Sequence, residues 1–477
     1  MINLFYEISF TDENLKIKGT NMIEYKWLKI ESKSDYDKII DLLPEKFKEN
    51  PYIKVWVEEL KLNIGNKCTQ ICIEYPYYDP EYLSSYYLYY VKKFQDIGKK
   101  SVRMHFFWQH SYRGYVTISP IKHYINIGKS YLSPNLILPK KAFLMLSTFQ
   151  VNAYGHRLDV ECFPWMRQQR DFSACAHVAV WVIVKFYGNE HMGYKDIRIG
   201  EIVDGVPETE NRKLPSHGLS VYQMADIFKQ YGFTPLLVQK EEENKEAFYE
   251  ELISYIESGI PVVAALDSKK HTIAIVGHGE VNLQKLNKCD GIISNSTLIN
   301  SLIVNDDNLF PYMEVNRRRK GEKYGIDDID FILVPLYNRV HLEYPVLYQR
   351  VMTYLETGNL KIDKNSVIRI YLASSNSVKK SAAEDDEMNL ILQDIVIRLE
   401  MPKLVWCIEI SNYEQYKNGN VSAKIIVDST ASAGDETPWL LIHDSEKLRY
   451  CSDDEWYEIE EKISEYNMYT GNLKETG

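Results

Sequence analysis

Gln169-Arg170-Asp171-Phe172-Ser173-Ala174-Cys175-Ala176-His177-Val178-Ala179-Val180-Trp181-Val182-Ile183-Val184-Lys185-Phe186-Tyr187-Gly188 is the stretch on which the reading of the chain turns. A glutamine stands six positions before a cysteine, and the cysteine opens an apolar run that stops at a glycine. Ser173 is the expected N-cap, because its hydroxyl accepts from the free amides of a first helical turn. Cys175 then falls in that turn, where the positive end of a helix favours a thiolate. The run from Val178 to Val184 is apolar on nearly every side, which predicts a central buried helix with Gly188 as its C-terminal stop. A thiol so placed is half of a nucleophile, and the other half is a base.

Downstream, His217-Gly218-Leu219-Ser220 leads into a helix that Gly232 closes, with Ser220 as a fair N-cap. Pro235–Val238 reads as a short strand, Lys245–Ser258 as a helix and Pro261–Leu266 as a buried strand. His271–Gly279, Leu298–Asn305 and Phe331–Leu336 follow as further strands. Helices first and an antiparallel sheet afterwards is the α+β pattern. His271 opens a strand, so its ring stands at the edge of the sheet. Asp306 closes a later strand, where it could accept from the second ring nitrogen and hold the tautomer. Gln169 could place its side-chain amide beside the Cys175 N–H as an oxyanion hole. His177 lies two positions along the helix and points away from Cys175. His278, seven positions from His271, faces the other side of a regular strand. Asn305 and Asp307 are substitutes for Asp306 if the strand ends differently.

In the order Gln, Cys, His, Asp these positions resemble the papain-like cysteine peptidases, and more closely their C39-like branch. The matching stretches are Gln169 to Gly188, Gly218-Leu219-Ser220 with Tyr231-Gly232, Gly259 to Val263, His271 to Gly277, and Leu302 to Asp306. The resemblance covers the central region alone. It implies Cys175 as nucleophile, His271 as general base and acid, Asp306 as orienter and Gln169 in the oxyanion hole. It also implies hydrolysis of a peptide or related amide bond in a peptide or protein substrate through a thioester. The chain departs from the family at the position after the nucleophile, where Ala176 replaces the common glycine, and it lacks the papain signature around the cysteine. Two other readings stay open: a papain-fold protein that binds or scaffolds without turnover, and a transglutaminase-like acyl transferase using the same thioester.

At 477 residues the chain is too long for one core. The expectation is an α+β architecture in which a papain-like domain over 150–340, its cysteine helix packed on an antiparallel sheet, is flanked by α+β domains over 1–149 and 341–477. In the first flank, Tyr52–Val57, Gln70–Glu74 and Ser101–Trp108 read as strands and Tyr82–Lys99 as a helix. In the last, Tyr344–Glu356 and Asn376–Glu400 read as helices, and Ser366–Ala373, Leu404–Ile410 and Ala423–Val427 as strands. The last two flank a turn at the Asn418-Gly419 pair. The acidic run Glu384–Glu387 reads as a solvated helix face.

A net charge of −11 argues against a nucleic-acid-binding protein, and the basic loop Arg317-Arg318-Arg319-Lys320 reads as a solvated turn. Seven scattered cysteines do not form a disulfide framework, and Cys68 and Cys72 lack a second pair at metal spacing. His105 and His110 read as sheet or loop residues, and no cofactor is expected. Met1–Glu7 has no basic or apolar leader pattern, and no apolar run approaches the ~20 residues that cross a bilayer. A cytoplasmic location without membrane contact is therefore expected.

Overall fold

The computed structural model describes residues 23–93, 95–122, 124–206, 214–216, 218–317, 323–432, 434–435, 438–453 and 455–476. Met1–Glu7, His217 and the loop residues Arg318, Arg319 and Lys320 lie outside the described residues. The architecture is α+β, and backbone contacts group the chain into two compact units. The first comprises Met1–Pro139, Leu146–Ser220 and Asn305–Tyr312; the second comprises Lys140–Met145, Val221–Val304 and Met313–Gly477. Among the described residues no helix is long and apolar enough to cross a membrane.

In the first unit, six antiparallel strands run in the order Glu24–Lys29, Gln70–Tyr77, Ser101–Trp108, Ser111–Ile118, Ser130–Leu132 and Pro164–Trp165. The Ser101–Trp108 strand is buried along nearly its whole length because the sheet continues on both sides of it. Its charged members are paired: Arg103 Nε lies 2.7 Å from Glu74 Oε2 and His105 Nε2 lies 3.0 Å from the same oxygen. His105 is thus a satisfied sheet residue. The last strand, Pro164–Trp165, delivers the chain to Gln169 and the Cys175–Glu190 helix. Ala176 to Tyr187 are all buried in that helix, as its all-round apolar sequence requires. Lys185, its one internal charge, reaches Glu81 at 3.6 Å and also pairs with Asp196. Burial raises the Glu81 carboxyl to about 7 even though the Lys185 ammonium opposes the shift.

The second unit holds a sheet in the order Phe233–Gln239, Phe331–Tyr337, Val262–Leu266, His271–Gly279, Ser301–Asn305 and Met313–Asn316. Ala142–Leu144 pairs with the end of the histidine strand, and Lys474–Thr476 pairs with Ala142–Leu144 in turn. A second sheet orders Ile292–Ser294, Ser366–Ser374, Leu404–Asn412, Ala423–Asp428, Trp439–His443, Lys447–Ser452 and Glu455–Glu460, its first pair parallel and the others antiparallel. A buried charge network ties the Lys245–Glu257 helix to the Ser366–Ser374 strand. Glu257 accepts from Arg369 Nε at 2.8 Å, and His278 Nε2 lies 3.2 Å from it. Arg369 also reaches Glu409 at 3.1 Å, and Lys424 lies 3.0 Å from the other Glu409 oxygen. Burial acts to raise the Glu257 carboxyl, but the Arg369 guanidinium and His278 outweigh it and hold it at about 2.

Several expected elements fold differently, each for a local reason. Tyr52–Val57 belongs to a helix, Tyr52–Asn63, in which Ile53, Trp56, Val57 and Leu60 are buried while Val55 is exposed. That burial has helical spacing, and the β-branched and aromatic content concealed it. The Tyr82–Lys99 helix is shorter, running Pro80–Leu88 with Asp79 accepting from Glu81 N; Phe94 lies outside the described residues. Asn376–Glu400 breaks into Ser375–Glu384 and Leu390–Arg398, because Asn389 accepts from Ile391 N and Leu392 N and so starts a new helix. The strands that flank the Asn-Gly pair do pair antiparallel, but the connection between them is longer than a tight turn. A short Tyr413–Asn418 helix, capped by Asn412, ends at Gly419 with φ 76°, the left-handed conformation that favours glycine there.

Glu257 supplies a test with a defined sign. Its folded pKa lies below the ordinary value, so its contribution is complete above about pH 4.5 and is lost as the pH falls toward 2. In urea unfolding from pH 7 down to 2, Glu257→Gln is expected to cost about 3–5 kcal/mol at neutral pH, because it leaves Arg369 uncompensated. It is also expected to flatten the acid limb seen for the wild type.

Candidate active site

The loop before the cysteine helix is closed by its own hydrogen bonds. Gln169 N donates to Ser173 Oγ at 3.1 Å, and Phe172 N donates to Gln169 O at 2.8 Å. Arg170 takes φ 32° inside that closure, and Lys93 Nζ holds Asp171 at 2.6 Å. Gln169, Phe172 and Ser173 are fully buried. Ser173 is therefore not the helix cap. Ala174 occupies the N-cap position in extended conformation and offers no side-chain acceptor to the first-turn amides, while its own N–H donates to His177 Nδ1 at 3.3 Å, the reciprocal half of a capping box. Burial lowers His177 to about 4, so the ring is neutral at pH 7 with its acceptor nitrogen turned to Ala174. His177 is a capping residue and not a base for the thiol.

Cys175 is the first residue of the helix and is partly exposed. Its own amide belongs to the first turn, whose N–H groups have no partner within the helix. All seven cysteines are free, and Cys68, Cys72, Cys162 and Cys407 are buried, which leaves Cys175, Cys289 and Cys451 with some access to solvent. Gly188 does not end the helix, which runs on to Glu190. The glycine is required by a close approach instead: a Cβ there would meet Lys195 O at 3.1 Å and Asp196 Cα at 3.3 Å.

Among the described residues, neither the Nε2 nor the Oε1 atom of Gln169 has a hydrogen-bond partner. A buried amide left in this state costs about 1–3 kcal/mol, so it is the kind of group that persists where a ligand completes it. The same unit brings Asp306 to this loop. Trp165 Nε1 donates to Asp306 O at 3.2 Å, Gln168 Nε2 donates to Asn308 Oδ1 at 2.8 Å, and Asn305 Nδ2 donates to Pro164 O at 3.1 Å. Asp306 Oδ1 accepts from Asn308 N at 2.8 Å, which sets the turn after the strand. Asp306 and Asp307 are both buried.

His271 stands in the second unit. Asp267–Lys269 and the left-handed Lys270, φ 50°, turn the chain so that His271 begins its strand directly opposite Leu266. The residue is half-buried, its Nε2 is buried, and its ring lies 6.1 Å from the Tyr324 ring. At the other end of this strand, a Cβ on Gly279 would meet Ser301 Oγ at 2.2 Å. The neighbouring Ser301–Asn305 strand therefore begins where the histidine strand ends, and it finishes at the His271 end of the sheet. His278 projects into the buried charge network, as its odd spacing from His271 predicts.

Sequence reasoning missed the Ser173 tether, the Trp165 contact and the Gln168–Asn308 pair. The Gln169-to-Ser173 spacing is a local signal that could have revealed the first. The other two join positions about 140 apart, for which a single sequence carries no signal. Comparison with protein-family models, curated proteins and solved structures gave no match to this chain.

The capping role of His177 is directly testable. His177→Ala is expected to lower stability by about 1 kcal/mol in thermal unfolding. It should leave the rate of Cys175 alkylation within about threefold of the wild type, far less than loss of a general base would cost.

Proposed function

We propose that this chain is a cysteine peptidase of papain-like, C39-like type that cleaves a peptide or related amide bond in a peptide or protein substrate. The observation that carries the reading is the buried, unpartnered Gln169 amide in a self-closed loop that ends at a partly exposed cysteine on helix position one. That pairing supplies a nucleophile at the positive end of a helix and two N–H donors for an oxyanion, the Gln169 side chain and the Cys175 backbone. The strand-edge position of His271 and the fixed turn at Asp306 support their roles as base and orienter.

In the proposed reaction, His271 takes the proton of Cys175 Sγ, and the sulfur attacks the substrate carbonyl carbon. The resulting oxyanion receives hydrogen bonds from Gln169 Nε2 and the Cys175 N–H. Collapse of the adduct breaks the C–N bond, and His271 returns its proton to the leaving amine. Water, deprotonated by the same ring, then attacks the thioester carbonyl, which releases the acid and restores the thiol. Asp306 holds the imidazole tautomer. Ala176, buried behind Cys175, adds one methyl group and no competing polar atom. Seven free thiols suit a reducing compartment, and a cytoplasmic location is part of the proposal.

Iodoacetamide labelling of the native full chain near neutral pH tests the activated thiol. Cys175 is expected to react at least about tenfold faster than Cys289 and Cys451, and equal rates would leave a binding protein rather than an enzyme. Gln169→Ala is expected to reduce kcat for a cleaved peptide by about 10²–10³ with little change in KM. An added amine that appears in the product would assign acyl transfer instead of hydrolysis.

A further inference from the structure

An open sheet edge invites another chain to pair with it, and most open edges of this protein carry a deterrent. Pro164–Trp165, Lys474–Thr476, Ile292–Ser294 and Met313–Asn316 are short, with two to four residues each. Phe233–Gln239 contains Pro235, and Glu24–Lys29 contains Lys26 and Lys29. Glu455–Glu460, the last strand of the second sheet in the second unit, is different. It has six residues, no proline and no cation. It pairs antiparallel with Lys447–Ser452 on one side and, among the described residues, with no strand on the other. Such a strand turns about half of its N–H and C=O groups outward, where a further strand could take them.

Its two faces say what kind of strand that would be. All its residues are exposed except Ile459, which is half-buried. Tyr457 and Ile459 share one face, opposite Tyr450 and Leu448, and the Tyr457 and Tyr450 rings stack 5.4 Å apart. Leu448 is buried in one cluster with Leu392 and Val396 of the Leu390–Arg398 helix. That helix exposes Leu390 and Ile391 near the edge, where Asn389 Nδ2 donates to Glu461 Oε1 at 3.2 Å. This face is therefore an apolar lane. The other face carries Trp456, Glu458 and Glu460. Lys447, opposite Glu460 in register, turns to Glu458 at 3.3 Å, so neither Glu460 nor Glu455 has an ion pair among the described residues. Residues 446–461 hold seven carboxylates and two cations, a balance that repels acidic partners and attracts basic ones. A second copy of the chain is disfavoured. Antiparallel pairing of this strand with itself over its full length sets Glu455 opposite Glu460 at both ends, and like charges directly opposite are destabilising.

We propose that the Glu455–Glu460 edge binds an extended polypeptide segment, in which basic residues alternate with apolar ones, as an added strand of the sheet. Main-chain hydrogen bonds would supply the pairing, the carboxylates and the Trp456 ring would meet the basic side chains, and Tyr457 and Ile459 would meet the apolar ones. Calorimetric titration of the full chain with three peptides of about ten residues tests this. Lysine alternates with valine in the first, glutamate with valine in the second and lysine with proline in the third. Saturable binding of the lysine–valine peptide alone is expected. Equal binding of the lysine–proline peptide, which keeps the charge but cannot add a strand, would overturn the proposal, and so would equal binding of the glutamate–valine peptide. The double variant Glu455→Lys, Glu460→Lys alters only exposed side chains and is expected to weaken lysine–valine binding by about tenfold or more. Trp456→Ser should weaken it by about threefold. No saturable binding of the lysine–valine peptide, or unchanged binding by the folded double variant, would overturn the proposal. Sedimentation of the chain alone checks the rival occupant: self-association that the lysine–valine peptide dissolves would put a second copy on the edge and overturn the proposal as well.

Discussion

Gln169 N–H donates to the Ser173 hydroxyl across 3.1 Å, and the proposed chemistry of this chain depends on that closure. A long helix buried on all sides has no preferred face to fix where it starts. The start is set by bonds at the N-terminal end, with Ser173 closing the loop on Gln169 and His177 accepting from Ala174 N. These bonds hold Cys175 at the first helical position and the Gln169 amide in the same short turn. Helix dipole, thiol and candidate oxyanion donor are therefore arranged by one local constraint. The price of the arrangement is a buried amide without a partner.

Elsewhere the chain treats its buried charges differently. Arg369 is shared between Glu257 and Glu409, and Lys424 completes Glu409, so no member of that network is left without a counter-charge. Glu74 with Arg103 and His105 follows the same rule in the first unit. Against that background the buried Gln169 amide, one of several buried side-chain groups without a hydrogen-bond partner among the described residues, is the one carried by the loop that leads to Cys175. A satisfied buried network fixes one arrangement of the strands around it.

The legible parts of this fold were those where burial and local sequence agree. His271–Gly279, Val262–Leu266 and Phe331–Tyr337 lie in the middle of a sheet, and their continuous apolar runs announce it. The cysteine helix was legible for the same reason. Errors arose where a side chain overrules composition. Tyr52–Asn63 carries strand-forming residue types at helical spacing, and Asn389 and Asn412 each start a helix where a continuous pattern or a turn was expected. In the site, the residue types and their order were readable in the sequence. The cap was not, because Ala174 has no capping side chain and its own N–H is taken by His177 in the first turn. The contacts that anchor Asp306 to the Trp165–Gln168 segment depend on tertiary packing alone.

The central claim is that Cys175 cleaves peptide bonds with His271 as its base, and the most direct measurement is of the cleavage itself. A denatured protein extract incubated with the full chain, followed by mass-spectrometric sequencing of new amino termini, reads cleavage in whichever substrate it occurs. The account predicts new termini with the wild-type protein that are absent with Cys175→Ser and with His271→Ala. Identical sets of termini with the wild type and Cys175→Ser would contradict it.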